Sequence, residues 1–82
     1  VKYNGSGNVV IPKAIDGVVI KKIGDNAFNG LKIDNVVIPD SIVSIGNYAF
    51  SNNNLKYLNI PESVLEIGEA AFMNNLLSKI DK

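Results

Sequence analysis

Three carboxylates crowd the segment ESVLEIGE: Glu62, Glu66 and Glu69 are the densest set of hard ligands in this chain of 82 residues. Oxygen donors of that kind suit calcium, but their spacing is not that of an EF-hand loop. Twenty-two residues earlier the corresponding positions hold Asp40, Ser44 and Asn47, which keep one of the three charges. The trio therefore reads as a solvated acidic edge. The chain has no His and no Cys, which removes the usual general bases, thiolate nucleophiles and zinc ligands together. Gly5-Ser6-Gly7 lacks both dinucleotide-binding and Walker spacing, and reads as a flexible entry loop rather than a phosphate cradle. No catalytic constellation converges. The expectation is a protein that is not an enzyme and uses no metal or cofactor.

The bulk composition narrows the partners. Eight Lys balance eight Asp and Glu, with no Arg, so no net field draws nucleic acid or an anionic membrane. With 46% hydrophobic and 20% charged residues, the chain has the composition of a folded domain rather than a disordered one. No apolar run approaches the roughly 20 residues of a membrane span, so no membrane insertion is expected. The opening VKYNGSGN carries neither an initiator Met nor a signal peptide. It reads as a cut within a longer protein, so the absent signal says nothing about export.

What organises the chain is repetition. Residues 37–50, VIPDSIVSIGNYAF, and residues 59–72, NIPESVLEIGEAAF, agree at seven of fourteen positions, 22 residues apart. Ile-Gly recurs at 23–24, 45–46 and 67–68, and Ala-Phe at 27–28, 49–50 and 71–72. Apolar anchors follow each Phe, first Ile33, Leu55 and Leu77, then Val36, Leu58 and Ile80. A fixed period of this length marks a solenoid. The first copy is five residues longer, through KAIDGVVIKK, where Asp16-Gly17 reads as a tight turn. Residues 1–24 are thus expected to form an N-terminal capping coil, and residues 25–82 a run of 22-residue repeats that continues past Lys82.

The recurring residue types predict a mainly β coil. Short apolar runs at Val9–Ile11, Val36–Ile38 and Leu58–Ile60 end at Pro, which cannot donate to a ladder and so stops a strand. Stacked about 4.8 Å apart, such strands form a parallel sheet. Ile42, Val64, Ile45 and Ile67 point inward from the returning side. The Gly after each Ile supplies either a positive φ or close packing. A rival reading makes residues 62–80 an amphipathic helix, with Ser63 and Glu66 as a capping box. The matching SIVSIGN of the previous copy is β-branched and cannot share that helix, which leaves single helical or 3-10 turns around Asp25–Phe28, Asn47–Phe50 and Glu69–Phe72.

The pattern VIPDSIVSIGNYAFSNNNLKYLNIPESVLEIGEAAF resembles the BspA-type leucine-rich repeats of bacterial surface proteins, and GSGNVVIPKAIDGVVIKKIGDNAF resembles the segment that starts many such arrays. The resemblance runs from about Gly5 to Lys82. Many family copies carry Gly-Cys after the Phe; here Asn52-Asn53 and Asn74-Asn75 take that turn, where an asparagine ladder can form along the stack. The resemblance implies a curved right-handed solenoid, extracellular display on a bacterial cell or secretion, and adhesion or protein binding. In a bacterial source the glycosylation-like Asn4-Gly5-Ser6 carries no meaning.

Binding in repeat proteins uses side chains that stand out from the stacked strands in fixed columns. Two such columns are Asn8, Asn35, Tyr57, Lys79 and Val10, Val37, Asn59, Asp81. The candidate ligand face is Asn35, Val37, Tyr57, Asn59 and Lys79. Tyr57 leads it, because Tyr offers rigid apolar area and a hydroxyl at low entropic cost; the bland alternative is one exposed aromatic without a partner. The neighbouring Asp34, Lys56, Ser78 column is mixed in charge and reads as a solubilising edge. A protein ligand, such as a host extracellular protein, is the expected partner. A stiff structural spacer and a glycan-binding module are the alternatives. Leu77–Lys82 and the Phe72 layer lack a cover, so self-association through the C-terminal coil is also expected. Each repeat Phe should fill the centre of its coil. Phe50→Ala is then expected to cost about 3–5 kcal/mol, read as a lowered urea midpoint; a loss under about 1 kcal/mol would remove Phe50 from the core.

Overall fold

The computed structural model describes residues 7–77 and 79–81. Nine short strands follow in order: β1 (Asn8–Val10), β2 (Ala14–Ile15), β3 (Val18–Val19), β4 (Lys22–Ile23), β5 (Asn35–Val37), β6 (Ser44–Ile45), β7 (Tyr57–Asn59), β8 (Glu66–Ile67) and β9 (Lys79–Asp81). The parallel pairings bring repeat equivalents side by side. On one side of the coil β4, β6 and β8 form a three-stranded sheet, Ile23 beside Ile45 beside Ile67. On the other side β1 pairs with β5 and β7 with β9. The longer first copy carries the antiparallel hairpin β2–β3. Asp16 and Gly17 both have positive φ, 51° and 80°, as a two-residue hairpin turn of the twisted kind requires.

The core is a column between the two sides. Phe28, Phe50 and Phe72 stack with centroids 5.2 and 5.4 Å apart and planes within 5° of parallel. Ile33, Ile42, Ile45, Leu55 and Val64 pack around them, fully buried. Ile67, in register with the buried Ile45, is 45% exposed because it stands on the last described layer of its sheet. Gly46 and Gly68 answer to close packing rather than to positive φ. A Cβ at Gly46 would lie 2.6 Å from the Asp25 nitrogen, and one at Gly68 2.6 Å from the Asn47 nitrogen, closer than any side chain tolerates.

The turns that carry the Phe residues are not helical, which corrects the expectation of single helical or 3-10 turns. Asn26, Tyr48 and Ala70 sit at the same position of successive copies with φ of 58°, 57° and 52°. A left-handed residue there breaks any right-handed helical turn and suits the third position of a type II β-turn. The closing bonds run from Ala27 N–H to the Gly24 carbonyl and from Ala49 N–H to that of Gly46. Tyr and Ala gain nothing from this region, which costs an ordinary residue about 1–2 kcal/mol. Bonds between coils offset the cost. The N–H groups of Asn26, Phe28 and Gly30 donate to the carbonyls of Asn47, Ala49 and Ser51, and those of Tyr48, Phe50 and Asn52 to Glu69, Ala71 and Met73. Ser51, fully buried, donates its hydroxyl to the Ala70 carbonyl.

Side chains extend this mesh. The expected asparagine ladder exists: Asn52 Nδ2 donates to Asn29 Oδ1 at 3.0 Å, and Asn74 Nδ2 to Asn52 Oδ1 at 2.9 Å. Their neighbours bind main chain instead. Asn53 Oδ1 accepts from Leu31 and Ile33 N–H at 3.1 and 3.0 Å, while its Nδ2 donates to the Phe28 and Phe50 carbonyls at 2.9 Å. Asn75 repeats the arrangement one coil on, with Leu55 N–H, Phe50 O and Phe72 O. On the outer edge Asp25 Oδ1 accepts from Asn47 N–H, and Asn47 Oδ1 from Glu69 N–H, both at 2.8 Å.

Two predictions follow from these contacts. Asn53→Leu, which installs the residue found at the equivalent Leu31, leaves two N–H groups and a carbonyl of the first coil without their side-chain partner. At about 1–3 kcal/mol per orphaned group, urea titration is expected to show a loss of about 3–5 kcal/mol. A loss no larger than that of Asn54→Ala, at an exposed position, would remove the carboxamide from the stabilising set. Separately, Tyr48 donates to Glu69 Oε2 at 3.2 Å, and this bond, together with the carboxylate's charge, raises the phenol above its usual range. The favourable contact is therefore complete below the unfolded value of about 10 and lost as pH rises through the folded one. Glu69→Gln is expected to lower the Tyr48 titration midpoint in NMR; an unchanged midpoint would refute the pairing.

Candidate functional site

Four of the five residues expected to form a ligand face meet at one place. Asn35 and Val37 lie on β5, Tyr57 and Asn59 on β7, and all four line a cleft of about 400 Å³ together with Val36, Ile38, Asp40 and Pro61. The fifth, Lys79, is in register beside Tyr57 on β9; its side chain lies outside the described residues, as do Ser78 of the charged column and Gly5-Ser6 of the entry loop.

The cleft opens where the strand stack is interrupted. Among the described residues no ladder joins β5 to β7, although β1–β5 and β7–β9 are both fully registered. The interruption shows in the packing. Val9 and Leu58 fill the inward position of β1 and β7 with 5% and 2% exposure, whereas Val36, their equivalent on β5, is only half-buried. The approach to the two strands differs as well: Lys32 has a φ of 57°, and its equivalent Asn54 has no such turn.

Main-chain geometry gives the cleft a polar floor. In a parallel ladder alternate residues turn both backbone groups toward the same neighbour. Asn35 N–H donates to the Gly7 carbonyl and Ile11 N–H to the Val37 carbonyl, so Asn35 and Val37 address β1. The N–H and carbonyl of Val36 are thereby directed toward β7, on the side without a ladder.

The walls are apolar and the rim carries amides. Tyr57 is 63% exposed and Val37 56%, with Val10 beside Val37 continuing the apolar strip. Asn35 Nδ2 donates to Asn8 Oδ1 at 2.9 Å, which holds its carboxamide in place. Asp40 is the charged residue of the lining, and Lys13 Nζ lies 3.0 Å from its Oδ1. Both ends of that pair are well exposed, so its contribution to stability is about 0–1 kcal/mol; its effect on the cleft is to neutralise the rim. Sequence reasoning missed Val36, Ile38, Asp40 and Pro61. Asp40 and Pro61 had a signal, since both stand at the Pro that ends each strand; the half-exposure of Val36 had none. Glu62, Glu66 and Glu69 are all exposed, and no group of three metal-capable side chains gathers among the described residues. This lining can hold a ligand by apolar contact and neutral hydrogen bonds.

Comparisons with known proteins agree with the geometry. The family model for the BspA type leucine rich repeat region matches residues 8–82 in six copies. A crystal structure of a leucine rich cell surface protein from Faecalibacterium prausnitzii A2-165 superposes with a TM-score of 0.75 at 33% identity. The match covers 89% of this chain and 18% of that one, so the chain spans under a fifth of its neighbour's length. No curated protein matches the sequence. With its parallel ladders set at the repeat spacing and its Phe residues in one column, the chain belongs to the BspA-type leucine-rich repeat family.

Proposed function

We propose that this chain is a non-catalytic recognition module of a bacterial surface protein, and that it binds a protein ligand on the face formed by β1, β5, β7 and β9. The observation that carries the reading is the convergence of Asn35, Val37, Tyr57 and Asn59 on one cleft. An exposed aromatic flanked by aliphatic and amide side chains is the composition of a protein-binding hot spot. Surface display is supported by the family and by the description of the Faecalibacterium neighbour as a cell surface protein. In the same reading residues 1–24 cap the array, and coils associate end to end through the Phe72 layer and Leu77–Lys82, of which Ser78, Lys82 and the side chains of 79–81 lie outside the described residues. Static light scattering over a hundredfold concentration range tests that association, which a constant monomer mass would exclude.

A structural spacer is the second reading, favoured by the unbroken Phe column and the mesh of bonds between coils, which together make a stiff stack. The deciding experiment is a binding screen against extracellular matrix proteins, serum proteins and glycans, using this chain and a longer natural array. The expected outcome is saturable binding to a protein, weakened at least tenfold by Tyr57→Ala, with an unchanged circular dichroism spectrum because the position is exposed. Binding by neither form would support the spacer, and binding only to glycans would assign the module to carbohydrate.

A further inference from the structure

Resting on the recognition reading, we infer that the β5–β7 cleft takes an uncharged, extended peptide segment of the partner, with one aliphatic or aromatic side chain set against Val37 and Tyr57. Three features of the lining converge on that occupant.

The first is the backbone of Val36. Its N–H and carbonyl are directed toward β7 but belong to no ladder there. Main-chain groups at such an edge retain a donor and an acceptor with the spacing of a peptide unit. The second is the pair of carboxamides flanking the opening. Asn35 has committed its Nδ2 to Asn8, which leaves its Oδ1 to accept from a partner N–H. Asn59, exposed across the cleft, offers both a donor and an acceptor. A peptide presents the complementary groups along its length, at the two-residue period of an extended strand.

The third is the apolar strip. On the outer face Val37, 56% exposed, stands on one side and Tyr57, 63% exposed, on the other. A side chain on an extended peptide can reach that strip while its flanking peptide groups meet the Asn35 and Asn59 carboxamides. Charge selects in the same direction. Asp40 is paired with Lys13, so among the described lining residues no charge stands alone. A cleft of about 400 Å³ is at the small end of ligand sites, which suits one side chain with its flanking peptide groups rather than a folded epitope.

The test is a ¹⁵N NMR titration of the chain with blocked pentapeptides TTLTT, TTATT and TTKTT and with chitohexaose, each to 10 mM. The expected result is saturable shifts of the Val36, Val37, Tyr57 and Asn59 amides with TTLTT. The Ala and Lys peptides should bind at least fivefold more weakly, and Asn59→Ala should weaken TTLTT at least threefold. Equal shifts by all three peptides, or no shift of these amides with any probe, would overturn the inference. Shifts with chitohexaose alone would also overturn it. The recognition reading is tested apart from this one: a protein found in the screen whose contact surface bypasses the cleft would leave recognition standing and remove the peptide site.

Discussion

Main-chain groups that turn inward at a coil's corner have no water to meet them, and the adjacent coil is within reach. Asn53 is the answer this chain uses. Its carboxamide is two-faced: the oxygen takes two N–H groups of the coil before, and the nitrogen supplies carbonyls of that coil and its own. No apolar residue can do this, and a carboxylate could serve only the accepting half. Because the bonds reach across coils, neither coil is satisfied alone. The stack is therefore cooperative at its polar corner as well as in its Phe column, and the register of one element fixes that of the other.

Most of that architecture was legible from repetition. Ile-Gly, Ala-Phe and Ile-Pro each recur at the repeat spacing, and each does so for a reason the structure displays: Gly46 and Gly68 leave room for the preceding backbone, Phe50 stacks on Phe28, and Ile38 and Ile60 are buried before the prolines. The hairpin turn was legible too, since Asp-Gly is a dipeptide that accepts positive φ at both positions. The left-handed turns were hidden. Asn26 suits that conformation, but Tyr48 and Ala70 do not, and only the bonds between coils hold them there. A chain position whose conformation is imposed by its neighbours leaves no trace in its own residue type.

The candidate face divides along the same line. The columns Asn8 beside Asn35, Val10 beside Val37, and Tyr57 beside Lys79 follow from the period and are found as registered pairs. The gap between the second and third strands does not follow, because strict repetition predicts one more ladder there. It falls where the spacing is regular: the additional residues lie between the laddered β1 and β5, 27 apart, whereas β5 and β7 are 22 apart like the later equivalents. What sets the approach to β5 apart is the turn at Lys32, which Asn54 lacks.

An uninterrupted strand face would present the same columns in a nearly flat array, with every backbone group occupied. The interruption makes β5 and β7 unlike their neighbours, with a half-buried Val36, an open peptide edge and an aromatic wall in one place. Rigidity elsewhere is what gives that difference value. The Phe column and the asparagine ladders fix the coils on either side, so the proposed binding would need no assembly of the cleft and would meet little opposing ordering entropy. In this stack built by repetition, the proposed site lies where the repetition fails.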